Sequence, residues 1–458
     1  MKPQNYIEAL EDLLLPQYET ERTKLDVIDG WLRWTPEEIK VKRTTDRELR
    51  YLKEISQTPW PRLVIETTAQ AIKAEGIYAA DRRPEDLHAM WGPWDRNDME
   101  TKQGAIYRAS LGYGLAYGLA LPGVDSFGRP GASMTAHSPR DFFALYEDLI
   151  EDEFPTWGVR IIKQPKGAVH YRVYDDEGVT FLSREASQAK AKYIDFEAHD
   201  LGVTPIVRYA NQMDLEGRAP GEIEPLVPLF SRINKTDYDR MLTQHFNSWK
   251  IRTATGVQQP ATDEESASTK LKLRQDDILV AEDHEAKFGT LDETSLKPFI
   301  EAHDSDLETL AAISQTPMTT FGKLVNISAD GLVEARNSLR AKVGDRKVSY
   351  GSSNVRFLRL AAHIENRAED AENFSVRTKW ADDESGALAA AVDALGKAAT
   401  MLGVPPQLLW DRIPGIDSTT AQSWVAYAEE HPSADTIQAK AVANALAANI
   451  PADAAASV

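Results

Sequence analysis

Two acidic clusters, Glu151-Asp152-Glu153 and Asp175-Asp176, are the residues whose type and spacing come nearest to a reaction centre. Glycoside hydrolysis uses two carboxyl groups held about 5–9 Å apart across the scissile bond, and the ten Trp residues of the chain add to that reading. Carboxylates adjacent in a strand point to opposite faces, however, and acidic runs most simply form solvated turns, so this is a weak signal. Other chemistries fail on residue type. Gly322-Lys323 lacks the upstream Gly and the following Ser or Thr of a phosphate-binding loop. The nine His are scattered without H-E-x-x-H spacing, so residues such as His284 and His303 read as surface or core groups rather than metal ligands. His363-Ile364-Glu365 matches H-x-E, but its zinc chemistry also needs P-C-x-x-C, and the chain has no cysteine. No G-x-S-x-G elbow occurs. Asn326-Ile327-Ser328 has the form of a glycosylation sequon and reads as a loop with a helix cap. No catalytic residue, metal or cofactor is expected.

Charge and composition narrow the class further. The 458 residues carry a formal net charge of −19, against the basic footprint that tight nucleic-acid binding requires. An acidic protein can still surround DNA loosely, because like charge prevents sticking. The absence of Cys excludes disulfides and thiol catalysis and fits a reducing compartment. There is no run of about 18 apolar residues, so no membrane span is expected, and Met1–Leu15 lacks the basic start and apolar core of a signal peptide. A basic set, Arg336, Arg340, Lys342, Arg346 and Lys347, could touch phosphates. With Glu334 and Asp345 interspersed it reads more simply as an exposed helix face. Asp263-Glu264-Glu265 is a solvated loop or a docking tip.

The elements that position these residues are organised around Leu296–Asn366, which reads helix, Pro-containing loop, helix. Leu296, Phe299, Ile300, His303, Leu307, Leu310 and Ala311 recur at steps of one, three and four. That helix is predicted to stop near Ser314-Gln315-Thr316, because Pro317 disfavours helix in the residue before it. Met318–Asn326 has no helical period, and a new helix follows Ser328 with Leu332, Val333, Leu339 and Val343 on one side. Upstream, Asn5–Leu32 reads as two helices divided at Pro16, Pro59-Trp60-Pro61 as a turn before a helix over Arg62–Ala74, Met90–Trp94 as a loop, and Asn97–Tyr113 as a helix. Tyr113–Leu121 is small and apolar and reads as a buried strand with close backbone neighbours. Further strands are expected at Phe142–Tyr146, Trp157–Ile162, Val169–Tyr174, Val179–Leu182 and Ile206–Tyr209, with a hairpin turn at Asp175–Gly178. Glu222–Lys250 reads as a long helix, Trp249–Val257 and Leu271–Ala281 as strands of a small inserted module, and Phe374–Trp380 as a strand. Helices follow over Ala387–Leu402, from Pro405-Pro406 and over Thr419–Glu430, with an Ala-rich tail after Ile437. The fold class is α+β and multidomain.

In this order the chain resembles the portal proteins of tailed double-stranded DNA bacteriophages, most of all those of siphoviruses infecting actinobacteria. The resemblance spans nearly the whole chain. It is carried by Trp60–Glu66, Ile233–Arg240, His245–Lys250, Leu273–Leu279, Ser314–Pro317 and Asn326–Leu332, whose specificity lies in their joint order. It implies a homo-oligomeric ring of twelve subunits at one capsid vertex of the virion, present in the host cytoplasm during assembly. Double-stranded DNA would pass through its central channel independently of sequence. Its partners would be the terminase, the head–tail connector, and the major capsid and scaffold proteins. Residues 1–221 would be the wing, 222–250 and 296–316 the stem helices, 251–295 the clip, 317–327 the tunnel loop, 328–366 the wing helix and 367–458 the crown and tail. Thr319, Thr320, Phe321, Gly322, Lys323, Leu324, Val325 and Asn326 would line the channel, with Lys323 touching phosphate and Asp263, Glu264 and Glu265 docking a partner. The short clip and modest crown depart from the family's pattern. Another oligomeric virion or scaffold component, or an acidic hydrolase, is the alternative.

Overall fold

The computed structural model describes residues 3–33, 47–79, 84–124, 128–248, 252–255, 287–290, 294–322, 329–381, 388–413, 416 and 418–431. The chain opens on α1 (Pro3–Glu8), a π-helical turn (Ala9–Leu14) and α2 (Leu15–Leu32), which run on without a break. Pro16 was expected to divide this stretch into two helices. Instead the π turn in front of it, in which the Leu15 N–H reaches Leu10 O, absorbs the bond that proline cannot make. Then come α3 (Arg47–Ile55), α4 (Trp60–Ala69), β1 (Ala74–Tyr78), α5 (Pro84–Arg96) and α6 (Met99–Tyr113).

The expected loop at Met90–Trp94 is wrong. These residues lie inside α5, with Pro93 accommodated there, because Met90 and Trp94 are fully buried and Trp91 stacks on Trp94 with ring centroids 5.0 Å apart. Burial of this side overrides the breaker signal of Gly92-Pro93.

The sheets follow: β2 (Leu115–Val124), β3 (Pro130–His137), β4 (Phe142–Leu145), β5 (Trp157–Lys163), β6 (Val169–Tyr174), β7 (Gly178–Arg184), β8 (Lys192–Ala198) and β9 (Ile206–Ala210). Strands β4 to β8 form an antiparallel meander in chain order, and β3-β2-β9 form a second antiparallel sheet. One face of the meander presents Val159, Ile161, Tyr171, Val173 and Leu182 to Tyr6, Leu10, Leu14 and Tyr18 of the N-terminal helical run. Its other face packs Tyr174 and Val179 against Tyr117, Leu119 and Ile206 of the second sheet.

Strand β2 is thus buried on both sides, which is why it reads as an unbroken apolar run rather than an alternation. On its far side Gly118 faces the Phe357 ring so closely that a Cβ would lie 2.9 Å from it. The glycine is required by that approach.

After a short 3-10 turn (Glu224–Leu226), the chain forms α7 (Val227–Asn247), the paired strands β10 (Arg252–Thr255) and β11 (Lys287–Thr290), and α8 (Lys297–Ser314). The strand expected at Leu271–Ala281 and the loop at Asp263–Glu265 lie outside the described residues. A 3-10 turn (Met318–Phe321) leads on to α9 (Ala329–Ile364), whose 36 residues span ~54 Å. Its inner side packs on β2, β3 and β9 through Tyr350, Phe357, Leu358 and Ala361, with Tyr350 stacked on Tyr107 at 4.9 Å. Helix α9 ends with Asn366 in the left-handed region (φ 57°) and Arg367 N–H bonding Ala362 O, a Schellman ending.

The chain then passes through α10 (Ala368–Ala371) and returns in β12 (Arg377–Trp380), which pairs with β1, before α11 (Leu388–Leu402) and α12 (Ser418–Glu430). The α+β class read from the sequence agrees with this mixture of helices and sheets.

Candidate functional site

Helices α7 and α8 form an antiparallel pair. Arg232 bonds Asp306 at 2.8 Å, His303 lies 3.6 Å from Asp237, and Asn247 exchanges hydrogen bonds with Thr294 at 2.8 and 3.3 Å. Each step outward along one helix is a step back along the other. Burial is confined to one end of the pair. Leu229, Phe230, Ile233, Asn234 and Asp237 of α7 and Leu307, Leu310 and Ser314 of α8 are buried, while Phe246 and Ile300 at the opposite end are exposed. Asp237 is held among His303 and Arg240. Burial raises its pKa, and the interactions with His303 and Arg240 only partly oppose that rise.

The buried end, the root, is fixed by an ionic node. Glu222, just ahead of α7, accepts from Arg346 Nη2 at 2.6 Å and from Lys342 Nζ at 3.2 Å. Lys342 also donates to the Ser314 carbonyl at the end of α8, at 2.9 Å. Lys342 and Arg346 are only 4% and 6% exposed. The expectation of a solvated basic face, or one touching phosphates, therefore fails at these two positions: one turn apart on α9, they point inward to a carboxylate. Burial alone would raise the Glu222 carboxyl, but Lys342 and Arg346 outweigh it and hold the pKa below its ordinary value. Burial lowers the Lys342 ammonium more than Glu222 raises it.

Beyond α8 the chain turns sharply. Gln315 is left-handed (φ 54°), its N–H bonds Ala312 O, and Thr316 N–H bonds Ala311 O at 3.1 Å. This Schellman ending lies where the sequence places the stop, ahead of an extended Pro317. Thr320 N–H bonds Pro317 O at 2.9 Å and Gly322 N–H bonds Thr319 O at 3.2 Å.

Thr319 and Thr320 are half-buried, and Gly322 is exposed with φ 84°. Phe321 differs from what the sequence suggests. It is 6% exposed and packs on Trp60 with ring centroids 5.6 Å apart, so its ring belongs to the core and is not free to line an opening. Lys323, Leu324, Val325 and Asn326 lie outside the described residues, as do Asp263, Glu264 and Glu265.

The acidic clusters serve the fold. Asp175 accepts from Tyr6 Oη at 2.8 Å and from the N–H groups of Glu177 and Gly178, closing the β6–β7 hairpin. Glu153 bonds Arg359 of α9 at 2.7 Å, and Asp148 caps the turn that carries Glu151. No group of His, Asp or Glu among the described residues could hold a metal ion. No helix among them is long and apolar enough to cross a membrane.

The ionic node is what sequence reasoning missed. Its only signal was two cations four residues apart, flanking the buried Val343, with their counter-charge 120 residues upstream.

No curated protein matches the chain. A protein-family model described as phage portal protein, SPP1 Gp6-like, matches residues 12–433, a span that takes in both sheets, the α7–α8 pair, the turn after it and α9. The chain therefore belongs to the SPP1 Gp6-like phage portal protein family.

Proposed function

We propose that the chain assembles into a ring of twelve subunits at one capsid vertex, through which double-stranded DNA is packaged and later ejected. Residues 1–221 form the wing, 222–250 and 296–316 the stem helices, 251–295 the clip facing the terminase and later the head–tail connector, 328–366 the wing helix, and residues 367–458 the crown and tail. The segment 317–327 meets the DNA, with Thr319, Thr320, Gly322 and Lys323 to Asn326 at the channel and Lys323 touching phosphate. Asp263, Glu264 and Glu265 dock a partner at the clip. The ring meets the major capsid and scaffold proteins while it assembles in the host cytoplasm. The observation that carries this reading is the family match over residues 12–433, which spans the helix pair and the turn that follows it.

The chemistry is in keeping with it. A channel that lets DNA slide needs weak, sequence-independent contacts, and a net charge of −19 opposes tight binding. Sequence readout would need ordered side chains on base edges, which sliding forbids. The test is the size and symmetry of the purified protein, by negative-stain electron microscopy with light scattering. Rings of about a dozen subunits around a central hole are expected. A strict monomer, even with capsid and scaffold proteins present, would overturn the proposal.

A further inference from the structure

The node of Glu222, Lys342, Arg346 and Ser314 holds more cation than charge balance requires. Arg346 alone neutralises Glu222, and a buried ion cluster is poor evidence of stabilisation, because desolvation offsets its attraction. What Lys342 adds is a bond to a particular backbone atom. The Schellman ending of α8 uses the carbonyls of Ala311 and Ala312. The buried Ser314 carbonyl is met by the Thr316 hydroxyl at 3.4 Å and by Lys342 Nζ at 2.9 Å, so the lysine is its stronger donor. From there six residues, Gln315 to Thr320, run between two fixed points: Lys342 at Ser314, and Trp60 under Phe321.

We infer that Lys342 is a positioning residue, tying the exit of α8 to α9 and so setting where the chain leaves at Gly322, while Arg346 serves to neutralise Glu222. The positional claim stands on the geometry alone. Its consequence for DNA passage rests on the channel proposed above. The two cations share one carboxylate but only one holds the exit, and this makes the claim separable from a general loss of stability.

Amide hydrogen exchange on the full-length protein tests it, comparing wild type with Lys342→Met and Arg346→Met. In Lys342→Met the amides of Thr316, Thr320 and Gly322 should exchange about tenfold faster, with β2 unchanged. In Arg346→Met those three amides should keep their wild-type rates. Equal acceleration in both variants, or none in Lys342→Met, would overturn the inference. If Lys342→Met does not fold, exchange of the wild type in mild denaturant decides instead. Thr316 and Thr320 must open together with the α9 amides around Val343, and independent opening refutes the anchor. Particles assembled from Lys342→Met separate the two levels. Impaired packaging supports both, whereas normal packaging with a loosened exit leaves the anchor standing and overturns the channel role of this segment.

Discussion

The two ends of the α7–α8 pair are built on opposite principles. At the root Phe230, Ile233, Leu307 and Leu310 are covered, and most polar groups among them find partners within the protomer: Asn234 with the Thr58 N–H, Asp237 beside His303 and Arg240, and the Ser314 carbonyl and Glu222 with Lys342. The Ser314 hydroxyl and Asp237 Oδ1 have no hydrogen-bond partner. At the far end the same helical period continues through Met241, His245, Leu296 and Phe299, but these are only half-buried. Ile300 is exposed, Phe246 on the opposite side of its helix is 54% exposed, and the polar contacts are surface bonds such as Asn247 to Thr294. The same sequence patterning thus produces a buried interface at one end and a half-covered one at the other, because among the described residues α9 and the sheets lie beside the root. In the proposed ring, neighbouring subunits cover the far end. The root carries the geometry that one chain can set by itself.

The largest effect should come from cutting into the root's support. Phe357→Ala removes the ring lying over Gly118 of β2 and should cost about 3–5 kcal/mol, read as a shift in the urea midpoint. Glu222→Gln leaves two buried cations without their carboxylate and should cost about 3 kcal/mol at pH 7. The folded Glu222 pKa lies below its ordinary 4.5, so its stabilisation is present above that value and lost as pH falls through the folded pKa. The gap between wild type and Glu222→Gln should therefore narrow below pH 4.5 in thermal melts. A gap that widens on acidification would show that the node is held by something other than this charge. Gly118→Ala adds a methyl against Phe357 and should cost about 1–3 kcal/mol in the same denaturation assay. Smallest of all, Phe246→Ala at the far end should change protomer stability by no more than about 0.5 kcal/mol while weakening ring formation in light scattering. A large loss of protomer stability there would erase the contrast between the two ends.

The parts legible in the sequence are those where local chemistry and burial agree. The stop of α8 ahead of Pro317, the doubly buried β2 and the β6–β7 hairpin at Asp175–Gly178 each carry their own signal. Strand β8, Lys-Tyr-Ile-Asp-Phe-Glu-Ala, was invisible because it is an exposed edge with no buried face to impose alternation. Strand β3 was hidden by its small residues, and β1 by needing β12, some 300 residues later, as its partner. At Pro16 and Gly92-Pro93 breaker residues suggested interruptions that a π turn and a buried Trp pair override.

At the site, the turn after α8 was legible and the fate of its side chains was not. Phe321 goes inward because Trp60 waits for it, and Lys342 and Arg346 go inward because Glu222 does. Both depend on contacts more than 100 residues apart, which no local period reports.

In the proposed ring, the chain leaving Gly322 from this fixed root meets the DNA. Because the chain has no cysteine, Lys323→Cys introduces a unique attachment point for a photo-crosslinker. In particles stalled during packaging, illumination should join position 323 to DNA whatever the DNA sequence. A control cysteine at the exposed Ile194 of β8 should not crosslink. Crosslinks absent from 323, or equally strong from 194, would rule out this path for the DNA.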